Sequence, residues 1–313
     1  MTTSTLIVFA TSGVETRRSH VQRAQRRLQS MGFAVSEDES VRLRHQRFAG
    51  SDDQRLATLH RVADQAPSVA LACRGGYGMT RILDGIQWKR IKRSVDRGTR
   101  WVGYSDMTAL SLGLWAHTGA VSWHGPMAAE DFGRERGNDA HSDEANDITC
   151  ETFDQAMRGE LEAVGFRAEL GQDGLSAKGA LWGGNLSMVC SLLGTPHWPR
   201  VKGGILFLED VGEHPYRIER MLLQLAQAGV LAEQRAVLLG QFNAWKPSPL
   251  DRGYGLKAML QRVRSNCPKT PLLTGLPVGH VPLNLTLPQG MPVQLQVQGR
   301  AAYLFFDSAG GAL

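Results

Sequence analysis

The stretch Trp101-Val102-Gly103-Tyr104-Ser105-Asp106-Met107-Thr108 reads as a buried strand passing through one glycine into a serine, with a helical pattern starting at once. At such a corner the serine hydroxyl stands at a sheet edge, and the first unpaired N–H groups of the helix point at whatever binds beside it. That placement suits a nucleophile, provided the chain also supplies a base, an orienting acid and an oxyanion site. The corner departs from the GxSxG elbow, because Gly103 is present but position 107 is Met. A serine before a helix is also an ordinary N-cap, so the nucleophilic reading depends on partners elsewhere.

Three other stretches offer those partners. His280 follows Gly279 in a loop between apolar segments, where a side chain is presented. Glu209 ends the apolar run Ile205 to Leu208, which puts its carboxylate at a sheet edge, able to orient an imidazole. The glycine-rich corner Arg74-Gly75-Gly76-Tyr77-Gly78 follows another apolar run and lets backbone N–H groups approach a ligand closely. It lacks GxGxxG and any following GK[ST], so it is a poor phosphate loop. As an oxyanion hole it would use an amide near Gly76 beside that of Asp106, each such donor contributing roughly 3 kcal/mol in a transition state.

The elements that must position these residues alternate. Thr5 to Ala10, Val69 to Cys73, Trp101 to Gly103 and Ala120 to Trp123 are short apolar runs of the doubly buried type, with Phe33 to Val35 a further strand. Helical spacing lies between them at Glu15 to Met31, after a Ser51-Asp52-Asp53 cap, and after Ser105. Alternation of this kind predicts an α/β fold: an N-terminal, mostly parallel, doubly wound domain of Rossmann or flavodoxin type, with ligands at the strand C-terminal ends. We place it at residues 1–135. Residues 136–176 are polar and irregular except for a helix at Phe153 to Met157, and are read as an inter-domain crossing. A smaller α/β domain over 177–313 then holds a helix led by Gly183-Gly184-Asn185, strands at Gly204 to Leu208 and Ala236 to Leu239, and helices at Tyr216 to Ala226 and Tyr254 to Val263. It closes with three runs of antiparallel character at Leu283 to Leu287, Val293 to Val297 and Ala302 to Phe306.

Composition narrows the functional class. The chain has 313 residues, 42% hydrophobic and 21% charged, which is ordinary for a globular protein. The net charge of +5 comes partly from arginines between Arg17 and Arg47, without the interleaved aromatics of a single-strand nucleic-acid surface. Four separated cysteines with no CxxC pair carry no metal signature and fit a reducing, cytoplasmic location. No run approaches a membrane span, and Leu6 to Ala10 is too short for a signal segment. Neither a nucleic acid nor a membrane is expected as a partner.

Taken in order, RGGYG (74–78), GYSD (103–106), HGP (124–126), GGNLS (183–187), LFLEDVGEHPYRIERML (206–222) and GLPVGH (275–280) resemble the LD-carboxypeptidases of serine peptidase family S66 over nearly the whole chain. The resemblance implies a cytoplasmic, homodimeric serine peptidase with a Ser-Glu-His triad and no metal or cofactor. Its substrate would be a muropeptide tetrapeptide, from which it releases the terminal D-Ala. The triad falls on Ser105, Glu209 and His280. Glu213 is a rival acid, and Glu209 is preferred because it ends its strand and matches the family's LFxED position. Arg74 is the nearest cation for a substrate carboxylate, with a structural role in the glycine loop equally open. Gly75, Tyr104, Trp182 and Asn185 are further substrate-contact candidates, in a cleft between the domains. Two departures stand out: Thr11-Ser12-Gly13 replaces the family's Pro-Ser-Gly turn, and Val281-Pro282-Leu283-Asn284 follows His280. The alternatives are a microcin C self-immunity-type peptidase, which cleaves acyl-sulfamoyl adenylates, and a non-catalytic α/β module that binds a small ligand.

Overall fold

The computed structural model describes residues 4–135, 140–168 and 172–306, and divides into two compact units. The first comprises 1–160, 195–199 and 282–290; the second comprises 161–194, 200–281 and 291–313.

The first unit is built on a six-stranded sheet. Its strands are β1 (Thr5–Phe9), β2 (Ala34–Glu37), β3 (Val69–Ala72), β4 (Arg100–Val102), β5 (Ser122–His124) and β11 (Leu287–Gln289). They lie in the order β11-β5-β4-β3-β1-β2, parallel except for β11. The parallel part has the order of a flavodoxin-type doubly wound sheet, with the direction of winding reversing between β1 and β3. Helices α1 (Arg18–Ser30), α2 (Asp52–Gln65), α3 (Trp88–Asp96) and α4 (Met107–Thr118) connect the strands. Helix α2 begins with a full capping box, the Ser51 hydroxyl accepting from Gln54 and the Gln54 side chain accepting from Ser51. Helix α4 buries every residue from Met107 to Leu114, as a helix apolar on all sides must. Phe9 and Trp101 meet edge to face at 5.3 Å in the core, and the Trp101 indole N–H donates to Ser94 Oγ at 2.9 Å.

The expected crossing over 136–176 is not observed as one segment. Residues Ala140–Arg158 form a helix, α5, of the first unit, with Phe153 packed against Phe33 and Phe132. Its N-terminal half is polar, so apolar spacing showed only from Phe153 onward. The chain then enters the second unit through β6 (Ala163–Arg167) and β7 (Ser176–Asn185).

The second unit holds a seven-stranded sheet, completed by β8 (Ile205–Val211), β9 (Ala236–Asn243), β10 (Leu272–Thr274), β12 (Pro292–Gln298) and β13 (Ala301–Phe306). The order is β10-β9-β8-β7-β12-β13-β6. Strand β7 joins two kinds of sheet: Leu181 to Asn185 pair parallel with β8, whereas Ser176 to Ala180 pair antiparallel with β12. Helices α6 (Leu186–Leu192), α7 (Pro215–Gln227) and α8 (Leu256–Asn266) belong to this unit. Two of the three C-terminal runs form the expected antiparallel pair, β12 with β13. The run at 283–287 does not join them. Residues 282–290 return to the first unit, where Leu287 to Gln289 pair with Ser122 to His124.

Candidate active site

Ser105 sits on the turn between β4 and α4 with φ of +60°, one of few non-glycine residues in the left-handed region. Such a backbone is strained for a residue with a Cβ and persists only where its surroundings enforce it. The enforcement comes from the RGGYG corner. A Cβ on Gly75 would lie 2.8 Å from both Cβ and Oγ of Ser105, so that loop can pass over the hydroxyl only as glycine. Gly76 follows with φ of +106°, and the Gly13 N–H donates to Gly75 O at 3.0 Å. The turns after β1, β3 and β4 therefore meet at the C-terminal edge of the first sheet, with the Ser105 hydroxyl beneath the Gly75 backbone.

Asp106 follows the serine and is buried. Its Oδ2 accepts the Met79 N–H at 2.8 Å. Burial pushes its carboxyl above the usual range, opposed by the Ser12 hydroxyl, the N–H groups of Met79 and Gly78, and the charge of Arg55.

In the second unit Glu209 lies on β8, fully buried, with Oε2 3.0 Å from His280 Nδ1. Strand β8 is buried at every position from Ile205 to Asp210, so both acids lie inside; opposite them β9 carries one extra residue, Leu208 pairing with Leu239 and Asp210 with Phe242. Burial drives the Glu209 carboxyl upward, countered by the hydrogen bond and charge of His280 and by the Asn185 amide. The loop carrying His280 turns at Gly279, φ of +124°, where a Cβ would stand 3.0 Å from Glu209 Oε2. Asn243 Nδ2 donates to the His280 carbonyl at 2.7 Å and holds the loop from the other side. An imidazole bound through Nδ1 to a buried acid has its tautomer fixed and directs Nε2 to proton transfer. Glu213, the rival acid, instead pairs with Arg217 one helical turn away.

The remaining predicted residues fall elsewhere. Arg74 Nη1 donates to Val14 O at 3.1 Å, and Nη2 lies 3.3 Å from Glu130 Oε1, so the fork expected for a substrate carboxylate is engaged by the protein itself. Tyr104 is buried with its ring 5.8 Å from that of His124, inside the first unit rather than on a surface. Trp182 is likewise fully buried, its indole N–H donating to Gln234 Oε1 at 2.9 Å; it belongs to the core of the second unit and not to a cleft wall. Asn185 caps α6 by accepting from Met188 N and donates from Nδ2 to Asp210 Oδ1 at 2.9 Å. It thus serves the acid strand from behind.

Sequence reasoning missed Asp210, which accepts from Asn185 Nδ2, Ser187 N, Ser187 Oγ and Val211 N. The adjacent acids of Leu-Glu-Asp were its visible signal. It also missed Arg55, a fully buried cation on α2 whose Nη1 donates to the carbonyls of Thr11 and Gly78, both at 2.8 Å. Nothing in its helical setting marked it.

Comparison with known proteins agrees with this arrangement of units. The LD-carboxypeptidase N-terminal domain family matches residues 6–125, and the C-terminal domain family matches 178–295. A probable murein peptide carboxypeptidase of Bacillus subtilis is 32% identical over 292 residues, 91% of this chain and 87% of that one. The murein tetrapeptide carboxypeptidase of Pseudomonas aeruginosa is 30% identical, covering 87% and 86% of the two chains. Among solved structures, the muramoyltetrapeptide carboxypeptidase of Oxalobacter formigenes superposes with a TM-score of 0.85 at 38% identity, over 97% of this chain and 99% of that one. The microcin C7 self immunity protein, bound to aspartyl sulfamoyl adenosine, shares the fold with a TM-score of 0.86 at 20% identity, covering 98% and 97%. On these grounds the chain belongs to the LD-carboxypeptidase family, S66.

Proposed function

We propose that this protein is a serine carboxypeptidase that cleaves the L,D peptide bond of muropeptide tetrapeptides and releases terminal D-Ala, as an enzyme of peptidoglycan recycling. The observation that carries the mechanism is the 3.0 Å bond between buried Glu209 and His280, on a chain that also holds Ser105 in a strained corner under Gly75. In this reading His280 Nε2 takes the Ser105 proton while Oγ attacks the scissile carbonyl, forming the Oγ–C bond. Glu209 keeps the Nδ1 proton in place and stabilises the imidazolium. The oxyanion is met by backbone amides near Gly76 and Asp106. Collapse breaks the C–N bond as His280 protonates the departing D-alanine amine, and water activated by the same imidazole hydrolyses the acyl-serine.

The relatives' names support the substrate class, and the four free cysteines fit a cytoplasmic location. Among the described residues no helix is long and apolar enough to cross a membrane. The active form is proposed to be a homodimer, which light scattering would test.

The decisive assay is D-Ala release from a defined L,D-tetrapeptide, wild type beside Ser105→Ala. Release is expected to drop on the order of 10⁴-fold or more in the variant and to survive EDTA in the wild type. A folded Ser105→Ala protein that still releases D-Ala would end the triad proposal. Faster turnover of an acyl-sulfamoyl adenylate than of the tetrapeptide would move the chain to the self-immunity branch.

A further inference from the structure

Beneath the serine corner lie two buried polar side chains that the triad does not use. Asp106 and Arg55 are both essentially inaccessible, at 1% and 0% exposure. The Asp106 carboxylate takes the Met79 N–H at 2.8 Å, and the Ser12 hydroxyl and Gly78 N–H face the same group. Arg55 Nη1 binds Thr11 O and Gly78 O. A Cβ on Gly78 would come within 2.6 Å of that same nitrogen, so the loop lies flush on the guanidinium. Between them the two side chains hold backbone atoms of the turns after β1 and β3, and Asp106 itself belongs to the turn after β4.

We propose that the Asp106 carboxylate is a positioning residue for acyl transfer: with Arg55 it clamps the Gly75–Met79 loop over Ser105, fixing the oxyanion donors relative to the nucleophile. The proposal rests on Ser105 being the nucleophile. Ser105 and Asp106 are adjacent in the chain, so tying the Asp106 side chain to Met79 ties the strained Ser105 peptide to the loop whose Gly75 lies on its hydroxyl. Arg55 holds the far end of the loop at Gly78. An oxyanion hole works only if its donors are already in place when charge develops, and displacement by about 1 Å costs on the order of 10²-fold. An amide at position 106 keeps an oxygen for Met79 N–H but presents an NH₂ to neighbouring donors, while Arg55 keeps its ion pair with Asp52.

The test is Asp106→Asn, measured with the tetrapeptide and compared with Ser105→Ala. We expect kcat to fall about 10- to 100-fold with KM within about twofold. Tetrapeptide affinity should be equal in Ser105→Ala and Ser105→Ala/Asp106→Asn, because the loss is confined to the transition state. Wild-type kcat in a folded Asp106→Asn protein would overturn the proposal, and so would a loss residing in KM and ground-state affinity. If Asp106→Asn does not fold, Arg55→Lys decides. Lysine keeps the charge but is shorter and has one nitrogen in place of the two that serve the carbonyls and Asp52, so kcat should fall severalfold at constant KM, and an unchanged kcat overturns the proposal. Full activity in Ser105→Ala would instead remove the underlying assignment of the nucleophile.

Discussion

The serine corner of the first unit and the acid–histidine strand end of the second solve opposite problems. At Ser105 the constraint is space: a left-handed backbone, a glycine loop in contact with the hydroxyl, and a helix buried on all sides starting two residues later. At Glu209 the constraint is polarity: a carboxylate with no exposure, paired with one imidazole, beside an aspartate supplied with four donor bonds. The first region should tolerate loss of charge nearby better than added volume. The second should tolerate neither loss of its charge nor movement of its loop. Its acid lies on a strand buried at every position from Ile205 to Asp210, so the carboxylate that ends the apolar run has no exposed side.

The largest effect that would break this contrast is at Glu209. Glu209→Gln is nearly isosteric but presents the wrong partner to His280 Nδ1, and kcat should fall on the order of 10⁴-fold, as when a triad acid becomes an amide. Glu213→Gln, which only loses the pair with Arg217, should stay within about twofold of wild type, the range of an exposed ion pair. The reverse result in D-Ala release assays would hand the acid role to Glu213.

Next comes volume at the serine corner. Gly75→Ala adds one methyl 2.8 Å from Ser105 Oγ. Activity should drop by about 10²- to 10³-fold through loss of the oxyanion donors, and overpacking should destabilise the unit by about 1–3 kcal/mol. Chemical denaturation with parallel kinetics separates the two, and an active, fully stable Gly75→Ala enzyme would mean that space is not what governs Ser105. Asn243→Ala, which removes the 2.7 Å bond to the His280 carbonyl, tests the loop side of the comparison. A loss of about 1 kcal/mol, roughly fivefold in kcat/KM, is expected for one hydrogen bond.

The smallest effect concerns pH. In the first unit, burial holds His60 and His117 below their ordinary values, with Arg90 and His197 respectively adding to it. The unfolded chain therefore binds more protons in the window below about 6.5, and stability falls as pH drops through it. Glu209 has the opposite sign. Its folded carboxyl is raised above the ordinary glutamate value, so protonation on acidification relieves the burial penalty. Melting temperature should decline modestly from pH 7.5 to 5.5, and more steeply in Glu209→Gln than in wild type. A variant with the shallower slope would contradict that assignment of signs.

Much of the first unit was legible in the sequence, because its parallel strands are unbroken apolar runs and its corners are marked by glycine. The Ser51 cap, the β3 and β4 strands and the helix after Ser105 follow from local pattern alone. Strands β6 and β10 were not legible, nor was the antiparallel half of β7. β6 and β7 mix exposed with buried positions and include glycine, and three residues at β10 carry too little periodicity. Trp182 and Tyr104 looked like site residues because they adjoin site motifs, yet adjacency in sequence places alternate side chains on opposite faces, and theirs point into the core.

What the sequence determined by itself was the chemistry on offer: a serine at a strand-to-helix corner, a glycine loop, an acid at a strand end and a histidine after glycine, in family order. These are local features, set by residue type and spacing. Tertiary structure decided which acid holds His280, that Arg74 is engaged by Glu130, that 282–290 complete the first sheet, and that Asp106 and Arg55 bind the backbone of the neighbouring turns. Each of those depends on contacts between residues far apart in the chain, where burial, not local pattern, chooses among side chains of the same type.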